Sequence, residues 1–280
     1  MVISSTRTLH GVSVPAFFYG TAWKEERTEA LTRQALAAGF RAIDTANQRR
    51  HYFEAAVGDA LSGASIARAD LFIQTKFTYV SGQDHRLPYD RNAPPATQVE
   101  QSFQSSLEHL RTPYIDSYIL HGPSLAEGLS TVDRQVWRAM SALQQAGKTR
   151  LIGISNVSIA QLEGVCEFEG AKPAFVQNRC YARTGWDREV RDFCRANDIE
   201  YQGFSLLTAN RRALAQPTIG RIMVRADRTL AQVVFRFALQ SGMFPLTGTS
   251  DPVHLRQDLE SFDFELSEDE MVTIERIEVS

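Results

Sequence analysis

At 280 residues, with hydrophobic side chains at 43% and charged ones at 22%, the chain can bury a sizeable core. A net charge of −3, a pI near 6.1 and the lack of a long basic run exclude a nucleic-acid footprint, and no stretch nears the ~20 apolar residues of a membrane span. Cys166, Cys180 and Cys194 form no CxxC, and residues 1–11 contain no apolar signal core, so the expectation is a soluble cytoplasmic protein with reduced thiols, a monomer or weak homo-oligomer.

Residues 12–23 alternate in polarity and carry Pro15 and Gly20, which predicts a strand to about Tyr19 and then a loop. Ala30, Leu31, Ala35 and Leu36 recur at helical spacing within 25–38, and Gly39 stops that helix. Residues 41–44 form a strand ending in Asp44. A polar loop, 45–51, leads to Tyr52 and a helix over 54–61. A strand over 70–76 ends in Lys76. The loop 77–95 holds Gly82, Pro88, Pro94 and Pro95, and an amphipathic helix follows over 97–110. The strand 115–121 ends in His121, before Gly122 and Pro123. Next come a helix at 132–146, a strand at 150–155, and a helix at 158–169 with Ser158 as N-cap. A strand at 174–178, a helix at 187–196 and a strand at 200–205 continue the rhythm. A helix at 230–240, a strand at 244–248 and a short helix at 253–259 complete it. The last helix, 268–277, opens on Ser267 with Glu270 three residues on, a capping box.

Eight strands alternating with eight helices imply a parallel sheet. No GxGxxG follows the first strand, which counts against an open dinucleotide-binding sheet. With no Pro/Ser-rich linker, the pattern predicts a single (β/α)8 TIM barrel over residues 1–280, with an additional C-terminal helix; such a barrel takes about 250 residues. Strand C-termini then converge on one mouth. There stand Asp44, Lys76, His121, Ser155-Asn156, Gln177-Asn178, Phe204-Ser205 and Gly248-Thr249. Singly, these read as a cap, a solvated lysine or a turn histidine. At three successive strand ends, the acid, lysine and histidine suit proton transfer. Lys76, paired with Asp44, is expected to lower the Tyr52 phenol from about 10, and His121 to orient a carbonyl oxygen. No HExxH, paired carboxylates or His/Cys cluster provides a metal site.

These residues, in this order, closely resemble the aldo-keto reductase superfamily over nearly the whole chain. The family's Gly-Tyr-Arg-x-x-Asp-Thr-Ala stands here as Gly39-Phe40-Arg41-Ala42-Ile43-Asp44-Thr45-Ala46, followed by Glu54 and Val57-Gly58-Asp59-Ala60. Thr75-Lys76 matches the family lysine. Asp116-Ser117-Tyr118-Ile119-Leu120-His121-Gly122-Pro123 matches Asp-x-Tyr-x-x-His-x-Pro, and Gly153-Ile154-Ser155-Asn156 matches Gly-x-Ser-Asn. The resemblance implies NAD(P)H-dependent reduction of aldehydes or ketones to alcohols, with Asp44, Tyr52, Lys76 and His121 catalytic. NADP(H) is favoured and NAD(H) is the alternative. Ser155, Asn156 and Gln177 would bind the nicotinamide carboxamide, and Phe204 would stack on the ring. Gly20, Thr21, Ser205, Leu206, Gly248, Thr249, Ser250, His254 and Asp258 would complete the cofactor site. Trp23, His51, Tyr79 and His121 would contact a small carbonyl substrate.

The chain departs from the family pattern in three places. The family tyrosine follows the aspartate by five residues, where this chain has Arg49; Tyr52 needs a longer loop, and His51 is the competing proton donor. The Lys-Ser pair and later Arg that hold an adenosine 2′-phosphate are replaced by Gly248-Thr249 and His254, leaving Thr249, Ser250, His254 or Arg256 to contact it. The sequence stops soon after its last helix, so the 77–95 loop, with Tyr79, His85, Arg86 and Tyr89, is expected to wall the substrate pocket. The altered loop also motivates a second reading, a cofactor-binding regulatory barrel with little turnover. A third, an isomerase or lyase with Lys76 as Schiff-base nucleophile, is opposed by Asp44, which keeps the lysine charged.

Overall fold

The structure, a computed structural model, describes residues 4–278. Thr6–Leu9 (β1) and Val12–Pro15 (β2) pair as an antiparallel hairpin about His10 and Gly11. Both turn residues have positive φ (49° and 79°), which matches the twist of the flanking strands. Phe18–Gly20 (β3) is a separate strand. The single strand expected over 12–19 is therefore two. Ala16 N donates to Ser5 O, so the hairpin ends at Pro15 and the chain turns into the barrel.

Ala42–Asp44 (β4), Phe72–Phe77 (β5), Ile115–Leu120 (β6) and Thr149–Ser155 (β7) follow β3 in parallel. Phe175–Arg179 (β8), Glu200–Phe204 (β9) and Phe244–Thr247 (β10) continue the sheet, and β10 closes onto β3. The result is a closed barrel of eight parallel strands, the TIM-barrel architecture the alternation predicts. Around it run Thr28–Ala38 (α1), Glu54–Ser62 (α2), Pro95–Leu110 (α3), Thr131–Gln145 (α4), Ile159–Cys166 (α5) and Arg188–Ala196 (α6). Two helices not expected from the sequence, Arg211–Leu214 (α7) and Pro217–Ala226 (α8), fill the connection after β9. Pro217 sits at the start of α8, and Ile219 and Ile222 face inward. Leu230–Gln240 (α9), Pro252–Leu259 (α10) and Glu268–Glu275 (α11) complete the chain. The capping boxes at Ser158 and Ser267 form, and Gly39 ends α1 at φ 117°. No helix among the described residues is long and apolar enough to cross a membrane.

The barrel interior is layered. Phe18, Phe72, Phe175 and Phe244 meet edge to face, with ring centroids 5.6–6.4 Å apart. Leu9, Val14 and Ala16 belong to the same cluster, so the hairpin plugs the N-terminal end. Alternation along each strand then places polar side chains above the aromatics. Gln74 and Lys76 follow Phe72 by two and four residues, and Gln177 follows Phe175 by two. The register aligns Asp44 with Gln74, and Ser155 with Gln177 and Gln202.

Two charged clusters brace this core from outside. Asp116 accepts from Ile73 N at 2.8 Å and pairs with Arg68 (2.7 Å) and Arg150 (3.0 Å). It tethers β5 to β6, and the family aspartate of that motif is structural here. Glu54, buried at the start of α2, accepts from the Thr75 hydroxyl, from Ser106 (3.2 Å) and from His109 Nδ1 (3.0 Å). The hydrogen bond to Glu54 raises the His109 pKa, against the opposing effect of burial. A raised folded-state pKa stabilises the protein below the ordinary histidine value of about 6.5, and the gain fades as pH rises through the raised value. Wild-type Tm is therefore expected to fall relative to that of His109→Gln as pH rises through this window, in paired thermal melts; parallel curves would refute the assignment.

Candidate active site

Asp44 and Lys76 occupy the C-terminal ends of neighbouring strands, and both are buried. Lys76 Nζ lies 2.7 Å from each Asp44 carboxylate oxygen and 2.8 Å from Thr45 O, so all three ammonium protons have acceptors. Burial pushes the Lys76 ammonium down from its ordinary value, and Asp44 and Glu54 offset part of that shift. Asp44 Oδ1 also accepts from Gln74 Nε2 (2.7 Å) and Gln177 Nε2 (3.0 Å). A buried ion pair of this kind persists because its remaining lone pairs are also satisfied.

The long loop after Asp44 is built from internal hydrogen bonds. Asn47 Nδ2 donates to Ser102 O and Ser106 Oγ of α3, and Asn47 N to Lys76 O. Gln48 Oε1 accepts from His51 N at 2.8 Å, Gln48 O from Tyr52 N, and Gln48 Nε2 reaches Gly82 O. This turn carries Arg49 outward, where it packs 3.9 Å over the Phe53 ring and pairs with Glu26. Tyr52 is brought back to the mouth. Lys76 Nζ is 5.2 Å from its ring centroid, and the His121 ring meets it edge-on at 5.8 Å. Among the described residues, no protein group hydrogen-bonds the phenol oxygen.

The expectation that Lys76 lowers the Tyr52 phenol is overturned. Burial raises it, and Asp44 adds to the rise. The lysine charge is already matched by Asp44, so the phenol stays protonated. His121 is pushed down to about 3 by burial, with the Lys76 and His51 charges adding, and its ring is neutral. Its Nδ1 lies 2.7 Å from Thr78 Oγ1.

A cavity of about 910 Å³ opens over these groups. Its lining includes Gly20, Trp23, Asp44, Tyr52 and His121, then Ser155, Asn156, Gln177, Phe204, Ser205 and Leu206, and also Gly248, Thr249, His254 and Asp258. Trp23, Asn156 and Ser205 hold the rim in left-handed backbone geometry, at φ 61°, 54° and 58°. Such strain gathers where a site needs it. Burial raises Asp258 to about 6 even though the Thr247 hydroxyl donates to it.

The remaining expected residues lie elsewhere. Lys76 sits beneath the cavity. Thr21 is buried, its hydroxyl on Asp44 O, and Ser250 is not among the lining residues. His51 stacks on Trp23 at 3.9 Å and accepts from Trp23 N through its carbonyl, so it braces the rim from behind. Tyr79 donates to Asp133 (2.8 Å), and Tyr89 to Thr78 O. Residues 77–95 supply none of the cavity's lining, contrary to the wall expected from that loop. Lys24, Arg179 and Arg211 also line the cavity, and Gln74 and Gln202 are buried beneath it, none of them among the site residues expected from the sequence. Gln74 lies two residues before Lys76 and Gln202 two before Phe204, so strand alternation marks both as inward-facing. Lys24 Nζ donates to Gly248 O.

Known proteins match this chain over nearly its whole length. A glyoxal reductase of Bacillus subtilis is 30% identical over 278 residues, spanning 98% of this chain and 93% of the relative. A methylglyoxal reductase, DkgA, of Yersinia pestis is 28% identical over 256 residues, 90% of this chain and 84% of its own. The crystal structure of an aldo/keto reductase from Brucella melitensis superposes with a TM-score of 0.84 at 28% identity, covering 98% of this chain and 99% of that one. The model of the Aldo/keto reductase family matches residues 16–279. With the closed barrel and the strand-end residues in the family's order, the chain belongs to the aldo/keto reductase family, and it is an oxidoreductase.

Proposed function

We propose that this enzyme reduces small aldehydes or ketones with NADPH, that dicarbonyls of the glyoxal and methylglyoxal type are among its substrates, and that Tyr52 is the proton donor. The observation that carries this reading is a protonated Tyr52 at the cavity wall, above a buried Asp44–Lys76 pair and beside a neutral His121. The substrate names come from the B. subtilis and Y. pestis relatives.

A bound reduced nicotinamide supplies hydride to the carbonyl carbon. The chain's part is to place the carbonyl and to neutralise charge on its oxygen. The Thr78 hydroxyl lies 2.7 Å from His121 Nδ1, and in the neutral tautomer protonated at Nε2 it donates to Nδ1 while Nε2–H holds that oxygen. Tyr52 gives up its proton as the oxygen becomes basic. An alkoxide is a stronger base than a phenolate, so a raised phenol pKa still permits the transfer. Lys76, with Nζ 5.2 Å from the ring centroid, neutralises Asp44 and so keeps that carboxylate from opposing the phenolate left behind.

The cavity chemistry fits such a cofactor. Phe204 offers a ring face, and the Gln177 and Asn156 amides meet a carboxamide. Lys24, Arg179, Arg211 and His254 face only two lining acids, Asp44 and Asp258, and Asp44 is already paired. That excess of basic groups suits a nucleotide's phosphates, including a 2′-phosphate near Thr249 and His254. The test is oxidation of NADPH, and separately NADH, with glyoxal, methylglyoxal and simple aldehydes. Turnover on the order of 1–100 per second with NADPH is expected. Tight nucleotide binding with no turnover on any carbonyl would identify a regulatory barrel instead.

A further inference from the structure

Gln74, Gln177 and Gln202 reach into the barrel from β5, β8 and β9, and all three are buried. Gln74 Nε2 donates to Asp44 Oδ1 (2.7 Å) and to Gln202 Oε1 (2.8 Å). Gln202 Nε2 returns a bond to Gln74 Oε1 at 3.0 Å. Gln177 Nε2 donates to Asp44 Oδ1 (3.0 Å) and to Gln202 Oε1 (2.9 Å).

One charge orients all three amides. The Asp44 carboxylate accepts only, so the Gln74 nitrogen must face it. The reciprocal pair then turns Gln202 Oε1 toward Gln177. Gln177 meets two acceptors, Asp44 Oδ1 and Gln202 Oε1, which take both of its N–H groups. Its Oε1 is the amide atom with no protein partner among the described residues, and Gln177 lines the cavity. Turning the amide over would set its oxygen against two acceptors in a buried site, where an unmatched polar group is costly.

We propose that Gln74 and Gln202 are positioning residues that lock Gln177 with its oxygen as the group offered to the ligand, so that the site selects a pyridine ring bearing a hydrogen-bond-donating carboxamide and rejects the ring bearing a carboxylate. The inference rests on the nucleotide reading above and adds to it residues that touch neither cofactor nor substrate.

The test compares dissociation constants of NADP⁺ and of its nicotinic acid analogue, read from quenching of tryptophan fluorescence. The wild-type protein is expected to prefer the carboxamide form by about 10–100-fold, the equivalent of one unmatched buried acceptor. In Gln74→Met/Gln202→Met the reciprocal pair becomes apolar, one of the two locks on Gln177 is gone, and the preference should narrow by roughly tenfold. Gln202→Asn, which keeps an amide but withdraws the acceptor from Gln177, should narrow it as well and serves if the double variant does not fold. A merely structural role would weaken both ligands alike and leave their ratio unchanged; that result in a folded variant overturns the inference. Equal wild-type binding of both ligands overturns it while leaving the cofactor reading intact. Wild-type binding of neither ligand removes both.

Discussion

Lys76→Met is expected to lower Tm by roughly 10 °C and to remove most of the activity. Lys76 is fully buried and the Asp44 side chain is 4% exposed, so the substitution strands a carboxylate where water cannot reach it. Breaking such a pair from one side costs about 3–5 kcal/mol, and each kcal/mol shifts Tm by about 2–4 °C in a chain of this size. Gln74 and Gln177 still donate to Asp44, which keeps the loss toward the lower end. Asp44→Asn/Lys76→Met removes both charges and should recover part of the lost Tm. A single variant that melts with the wild type would show that the pair contributes little to the fold.

Tyr52→Phe is expected to cost turnover without costing the fold. A positioned general acid contributes about 10²–10⁴ in rate, and kcat should fall by that factor. Among the described residues no hydrogen bond is lost with the hydroxyl, and the ring keeps its contacts with Lys76 and His121. Tm and nucleotide affinity should therefore stay near wild type. A parallel loss of nucleotide binding would show that the phenol serves the cofactor site instead.

The barrel was legible because each inward strand is a short apolar run ending in a polar residue, bounded by glycine or by a capping sequence. The N-terminal hairpin was not, because Pro15 and Phe18 lie in one alternating run, and only the Ser5–Ala16 backbone bond shows where it divides. The meeting of Asp44, Lys76 and His121 followed from strand order alone. The Asn47–His51 excursion did not, since it depends on Gln48 closing a turn with His51 and Tyr52, a contact that no local propensity encodes. The 77–95 loop misled for a related reason. Tyr79 and Tyr89 look like pocket residues by type, yet their hydroxyls find Asp133 and Thr78. The Tyr52 phenol moved opposite to expectation because a lysine already neutralised by a bidentate carboxylate has little charge left to offset burial.

The identity of the proton donor decides the account. His51 lies behind Trp23, with its Nδ1 3.2 Å from Gln48 Nε2, and does not line the cavity, whereas Tyr52 does. The most direct measurement is kcat for NADPH-dependent methylglyoxal reduction by His51→Ala beside Tyr52→Phe. The structure predicts that His51→Ala stays within about tenfold of wild type while Tyr52→Phe loses about 10²–10⁴. The reverse ranking, with His51→Ala inactive and Tyr52→Phe near normal, would contradict it.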